Sequence, residues 1–244
     1  MIAIETTNLT KKYKGITAVD SLNLTINQGE LFALLGVNGA GKTTTIKMLT
    51  CLIKPTSGNA TLLKINILTD PNKVKSKINV SPQETAIAPN LSVRENLELI
   101  AGIYGNNSKI KKQMAEETIT SFGFSQIASQ RAKTLSGGWQ RRLSIAMALI
   151  SNPEVLFLDE PTLGLDVLAR RELWQVIESL KQRVTIILTT HYLEEAVSLS
   201  DRIGIMANGK LKAIGTATEL MQQTGTSNFE DAFVQLAGNG RITT

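Results

Sequence analysis

The chain has 244 residues, 42% of them hydrophobic, enough for one α/β domain or two closely packed lobes, so disorder is not the default reading. Its formal charge of +5 is scattered over Lys11 to Lys14, Lys73 to Lys77, Lys109 to Lys112 and the pair Arg141 and Arg142, which reads as solvated surface; no basic block argues for nucleic acid. The single cysteine excludes an intrachain disulfide, no apolar run reaches the ~18–20 residues that span a bilayer, and the N-terminal stretch lacks a secretory layout, so a soluble, cytosolic chain is expected.

In chain order, residues 2–30 alternate short β-prone runs with turn signals and predict a mostly antiparallel opening layer. Leu31 to Leu35 is an apolar run too short for a helix; a glycine-rich loop and a helix from about Lys42 to Leu52 follow, with Cys51 expected as a buried structural thiol inside that helix. The runs Lys77 to Ser81, Val155 to Leu158 and Thr185 to Thr190 have the look of strands buried on both faces, as in a parallel sheet. Between them, helical periodicity in Val93 to Tyr104, Lys109 to Phe122 and Gln140 to Ile150 predicts an inserted helical lobe. A helix over Leu193 to Leu199, a hairpin over Arg202 to Ile214 turning at Asn208-Gly209, and a small C-terminal tail complete the chain.

Chemistry concentrates at the loops that follow the strands. Gly36, Gly39, Gly41, Lys42 and Thr43 fit G-x-x-x-x-G-K-[ST] between a predicted strand and a predicted helix. Glycines there let successive N–H groups curl around phosphate, and the helix N-terminus adds roughly half a positive charge. Lys42 would reach the β- and γ-phosphates, and the Thr43 hydroxyl would ligate Mg²⁺. Asp159 and Glu160 end a buried strand, where doubly wound sheets bind ligands: Asp159 suits Mg²⁺, and Glu160 suits polarising a water that attacks the γ-phosphate. His191, the only histidine, and Gln83 have the same address at other strand ends; Gln83 could orient water or touch Mg²⁺. Ser136, Gly137 and Gly138 open an amphipathic helix and form a second anion site without a lysine.

Taken together, these segments resemble the nucleotide-binding subunit of an ABC transporter, over nearly the whole chain. The resemblance aligns Gly36 to Thr44, including Asn38, Ala40 and Thr44, with the Walker A loop, and Gln83 with the Q-loop. Leu135 to Gln140 aligns with the signature, Val155 to Glu160 with Walker B, Leu163 to Asp166 with the D-loop, and His191 with the switch histidine. It implies a P-loop NTPase fold: a mainly parallel α/β sheet with an N-terminal antiparallel β layer and an inserted α-helical subdomain. The expected domain is 1–225, with a core lobe at 1–86 and 152–225 and a helical subdomain at about 87–151, followed by a tail at 226–244.

It also implies ATP and Mg²⁺ as cofactors, Tyr13 stacking on adenine, and a head-to-tail dimer, expected as a homodimer, in which Ser136 to Gly138 act on the partner's nucleotide. Trp139 stands where the signature most often has Gln, and Thr162 where Ser is usual before the D-loop. The segments Pro82 to Tyr104 and Asn228 to Phe233 resemble exporter-type cassettes, which work with a separate integral membrane permease at the inner face of the membrane. The rival reading is an ATP-gated clamp on a soluble, non-transport protein.

Overall fold

The opening alternation folds as two 12-residue strands, β1 (Ile2–Tyr13) and β2 (Ile16–Asn27), in the computed structural model, which describes residues 1–105 and 107–238. They pair antiparallel, Ile4 opposite Ile26 and Tyr13 opposite Ile16, around Lys14 and Gly15, both at positive φ. β4 (Ser57–Leu62) and β5 (Ile65–Asn66) extend this sheet in the order β2-β1-β4-β5, so the antiparallel layer is wider than the opening residues alone indicate. The Ser57-Gly58-Asn59 stretch has poor strand propensity, and pairing of Ile4 with Leu62 and Glu5 with Thr61 overrides it.

A second sheet holds β3 (Leu31–Leu35), β6 (Ile78–Ser81), β7 (Val155–Asp159), β8 (Thr185–Thr190), β9 (Arg202–Ala207) and β10 (Lys210–Gly215) in the order β10-β9-β3-β8-β7-β6. All neighbours are parallel except the hairpin β9–β10, which turns at Asn208 and Gly209 (φ 52° and 76°). Every residue of β3, β7 and β8 is buried, which is why their runs are uninterrupted rather than alternating. Each such Leu, Ile, Val or Phe contributes about 1.5–3 kcal/mol of burial.

The helices are α1 (Lys42–Leu49), α2 (Pro71–Lys75), α3 (Val93–Ile103), α4 (Ser108–Ser121), α5 (Gly137–Leu149), α6 (Val167–Glu178), α7 (Leu193–Leu199), α8 (Ala217–Thr224) and α9 (Phe229–Ala237). One face of the parallel sheet packs through Leu156, Leu158 and Leu188 onto α3, α4 and α5, whose Leu97, Ile119 and Leu143 share the same apolar cluster with Phe124. The other face, with Phe32, Phe157 and Ile187, packs on α1 and the antiparallel sheet. No helix among the described residues is long and apolar enough to cross a membrane.

Three expectations change. Helix α1 stops at Leu49, not Leu52, because Cys51 takes a left-handed φ of 56°; the thiol lies half-buried beyond the helix, with burial pushing its pKa up. Helix α6 lies in a stretch from which no element was expected, between Walker B and β8. The C-terminal tail contains α9, whose Phe229 and Ala232 bury against Ile203, Ile205 and Leu220; residues 239–244 lie outside the described ones.

Candidate functional site

Parallel pairing brings four strand ends to one edge. Leu35 stands opposite Thr190, Thr189 opposite Asp159, and Leu158 opposite Ser81, so Gly36, His191, Glu160 and Pro82-Gln83 leave the sheet side by side. A cavity of about 420 Å³ lies over this edge, lined by Asn38 to Thr44, Gln83, Glu160, Leu163 and His191, with Ala18 on the antiparallel layer. A larger cleft of about 720 Å³ runs between α4, α5 and α6, away from these loops.

The glycine-rich loop leaves no room for a side chain at two of its positions. Gly41 has φ 106°, and a Cβ there would come within 2.5 Å of the Ala18 carbonyl; at Gly36 it would meet the Met206 carbonyl at 2.4 Å. The loop ends in α1, so free N–H groups and the helix dipole face the cavity. The Lys42 ammonium is buried, donates to the Gly36 carbonyl at 2.7 Å, and lies 3.4 Å from Glu160 Oε1.

Asp159 and Glu160 have different surroundings. Asp159 Oδ1 accepts from Thr189 Oγ1 and from Thr43 Oγ1, the latter at 3.3 Å, which joins the Walker-type carboxylate to the hydroxyl at the start of α1. Glu160 sits at φ 48°, a left-handed backbone uncommon for a non-glycine residue and concentrated at functional sites. Its N–H is fixed by both the carbonyl and the hydroxyl of Thr189, at 3.1 Å each, and this turn aims the side chain into the cavity. His191 Nδ1 lies 3.1 Å from Glu160 Oε2, so one carboxylate touches both Lys42 and His191.

Two predicted parts do not reach this cavity. Ser136, Gly137 and Gly138 begin α5, with Ser136 Oγ capping the helix; Ser136 and Gly138 line a separate small cavity with Trp139 and Ala169, and none of the three lines the P-loop cavity. Tyr13 is 44% exposed at the end of β1, with Lys11 Nζ 5.1 Å from its ring centre. Trp139 packs: its ring is 5.9 Å from that of Phe124, and the Arg142 guanidinium lies 5.0 Å from its centre.

Arg141 corrects the reading of the Arg141–Arg142 pair as solvated surface. It is 6% exposed, and its guanidinium donates to the Pro82 carbonyl at 2.8 Å and the Gln83 carbonyl at 2.6 Å. Burial lowers its pKa from the ordinary value, and the nearby Asp159 charge partly opposes this. The signal was present: Arg141 shares the buried face of α5 with Ser144, Ile145 and Ala148, at spacings of three, four and seven. Thr189 was also missed, hidden in an apolar strand run.

The family model described as "ABC transporter" matches residues 19–163. The chain belongs to the ABC transporter family. It is an ATP-binding cassette and an ATPase, and its two-sheet architecture with a helical lobe is that of the P-loop NTPase fold.

Among curated relatives, the cassette is 39% identical over 239 residues to the probable multidrug ABC transporter ATP-binding protein YbhF of Escherichia coli (strain K12), covering 96% of this chain and 41% of YbhF. It is 39% identical over 226 residues to the daunorubicin/doxorubicin resistance ATP-binding protein DrrA of Streptomyces peucetius, covering 92% of this chain and 68% of DrrA. The cassette thus spans under half the length of YbhF and about two thirds of DrrA. Among solved structures it is similar to the ATP-binding cassette MJ0796, a dimer in a post-hydrolysis state bound to ADP and Pi, with TM-score 0.78, 28% identity, and coverage of 87% of this chain and 98% of that one.

Proposed function

We propose that this cassette is the motor subunit of an exporter, a 1–225 domain (core lobe 1–86 and 152–225, helical subdomain about 87–151, tail 226–244) that pairs with a second copy around two ATP molecules. The observation that carries the dimer reading is the separation of the two anion-binding elements: Asn38 to Thr44 line the P-loop cavity and Ser136 to Gly138 do not. In a head-to-tail pair those three residues close over the partner's nucleotide, and the lack of a lysine there lets them release it after hydrolysis.

In the reaction, loop N–H groups and Lys42 hold the β- and γ-phosphates, while Tyr13 stacks on adenine at the exposed end of β1. Glu160 takes a proton from the attacking water, the water oxygen bonds to the γ-phosphorus, and the bond to the bridging oxygen breaks to leave ADP and phosphate. His191, 3.1 Å from Glu160, keeps that carboxylate turned toward the cavity and meets the γ-phosphate oxygens. Thr43 and Asp159, bonded at 3.3 Å, would hold Mg²⁺ through one hydroxyl and one carboxylate, with Gln83 as a third group. When bound, Mg²⁺ offsets the charge on the β- and γ-oxygens.

The likeness to YbhF, a probable multidrug ABC transporter ATP-binding protein, and to DrrA, a daunorubicin/doxorubicin resistance ATP-binding protein, supports a drug exporter; a separate membrane permease would then hold this chain at the inner face of the membrane. The test is a mixed dimer of one Lys42→Ala subunit and one Gly137→Asp subunit. A signature acting across the dimer leaves one intact site, so the mixed dimer occludes one ATP; verified mixed dimers that occlude none overturn the reading. For the membrane arm, the native complex should fractionate with membranes together with a polytopic protein, and a wholly soluble complex overturns it.

A further inference from the structure

The two glycines of the signature have different surroundings. Neither has a positive φ, and both stand in the first turn of α5, so backbone conformation does not call for glycine at either place. A Cβ on Gly137 would meet Leu165 Cδ2 at 3.8 Å, an ordinary van der Waals contact. A Cβ on Gly138 would stand 3.0 Å from the Ala169 Cβ and 3.9 Å from its Cα. Carbon atoms rest about 3.5–4.0 Å apart, so a methyl at 138 has to drive the two helices away from each other. Gly138 is required by a neighbour within its own chain.

That neighbour is held from the other side. Ala169 lies in the first turn of α6, and its N–H donates at 2.9 Å to Oδ1 of Asp166, the residue that caps this helix and ends the D-loop. Ser136 caps α5 in the same way, so two helix starts, each closed by its own side chain, meet across one glycine and one methyl. Trp139, Leu173 and Glu172 wall the joint around a cavity of about 50 Å³. The D-loop thus runs from Leu163, which lines the P-loop cavity, to Asp166, which seats the residue pressed against Gly138. Three residues of chain and one contact join a subunit's own nucleotide cavity to its own signature.

We propose that Ala169 is a positioning residue for ATP hydrolysis: its methyl, held by the D-loop cap, sets where the signature stands relative to the subunit's own nucleotide cavity, and position 138 is glycine to admit that methyl. This rests on the dimer reading given above. A residue acting this way governs how the signature meets a partner's nucleotide, so it changes turnover and leaves binding of ATP to the P-loop of a single subunit unaltered. Its effect is also tied to the size of residue 138, because the two side chains share one space.

The experiment is steady-state ATP hydrolysis by the full chain, with the ATP affinity of the monomer and the thermal midpoint measured on the same samples. Gly138→Ala is expected to lower kcat about tenfold with ATP affinity within about twofold of wild type. Adding Ala169→Gly removes the methyl it collides with and is expected to restore kcat to within about threefold of wild type. Gly137→Ala is expected to lower kcat as well, through the partner's nucleotide, and Ala169→Gly does not restore it. Wild-type kcat in Gly138→Ala overturns the proposal, as does a loss that Ala169→Gly leaves in place or that it reverses equally in Gly137→Ala. A loss of kcat that comes with weakened ATP affinity and a lowered midpoint overturns it too, since a merely structural contact behaves that way. The mixed dimer of Lys42→Ala with Gly137→Asp separates the two levels: if it occludes one ATP while the rescue fails, only the role of Ala169 falls, whereas no occlusion overturns the dimer reading itself.

Discussion

Arg141 is the residue whose removal most directly tests how the helical lobe holds the Gln83 loop. Arg141→Ala deletes two charge-assisted hydrogen bonds, at 2.8 Å to Pro82 and 2.6 Å to Gln83. Bonds of this kind contribute about 1.5–3 kcal/mol each. Two effects reduce the sum. The buried guanidinium carries a desolvation cost, visible in the downward pull of burial on its pKa, and the variant no longer bears it. Gln83 is exposed, so water reaches its freed carbonyl. The expected net loss is therefore nearer one bond than two, about 2 kcal/mol. In a chain of this size that lowers Tm by about 4–8 °C.

Arg141→Lys keeps the charge but not the two-pronged geometry, and is expected to lose about half as much. Thermal melts give the magnitude, and hydrogen exchange of the amides at 81–87 gives the place: protection should fall there before it falls in β7 or β8. An alanine variant that melts within about 1 °C of wild type, with unchanged exchange in this loop, refutes the argument.

Two further predictions concern the carboxylates. Glu160→Gln keeps the shape of the side chain but not its basicity, so hydrolysis should fall about 10²–10⁴-fold while ATP binding persists and a dimer accumulates in gel filtration with ATP; turnover near the wild-type rate would remove Glu160 from the role of base. Burial raises the Glu195 pKa above its ordinary 4.5, while the Thr190 and Thr162 hydroxyls, the hydrogen bond from the Trp174 indole N–H and the Arg170 charge oppose the rise. A carboxyl that binds its proton more tightly when folded lends stability that is fully present below the unfolded value and is lost as pH rises through the folded one. Urea midpoints of Glu195→Gln should therefore gain on wild type as pH rises from 4.5 towards neutrality, and an offset that stays constant over that window contradicts the burial argument.

Where sequence and structure part company, the cause is contact between distant segments. Leu31 to Leu35 and Thr185 to Thr190 read as strands because burial on both faces leaves only apolar or β-branched residues tolerable there. Ser57 to Leu62 did not, since its polar start forms a strand only by pairing with β1. Arg141 looked like surface because a charged side chain usually is, and only the fold reveals the two carbonyls that make its burial tolerable.

The sequence by itself determined the chemistry of the loops: the glycines at 39 and 41, the lysine and hydroxyl that follow them, and the acid pair and histidine at strand ends are required by backbone conformation or by the charge they present to phosphate. The tertiary structure alone decided which of them meet. Parallel register set Glu160 beside His191 and Lys42 and kept Ser136 to Gly138 out of the same cavity. Such distances follow from strand order and helix packing, which join residues far apart in the chain and leave little local trace at either one.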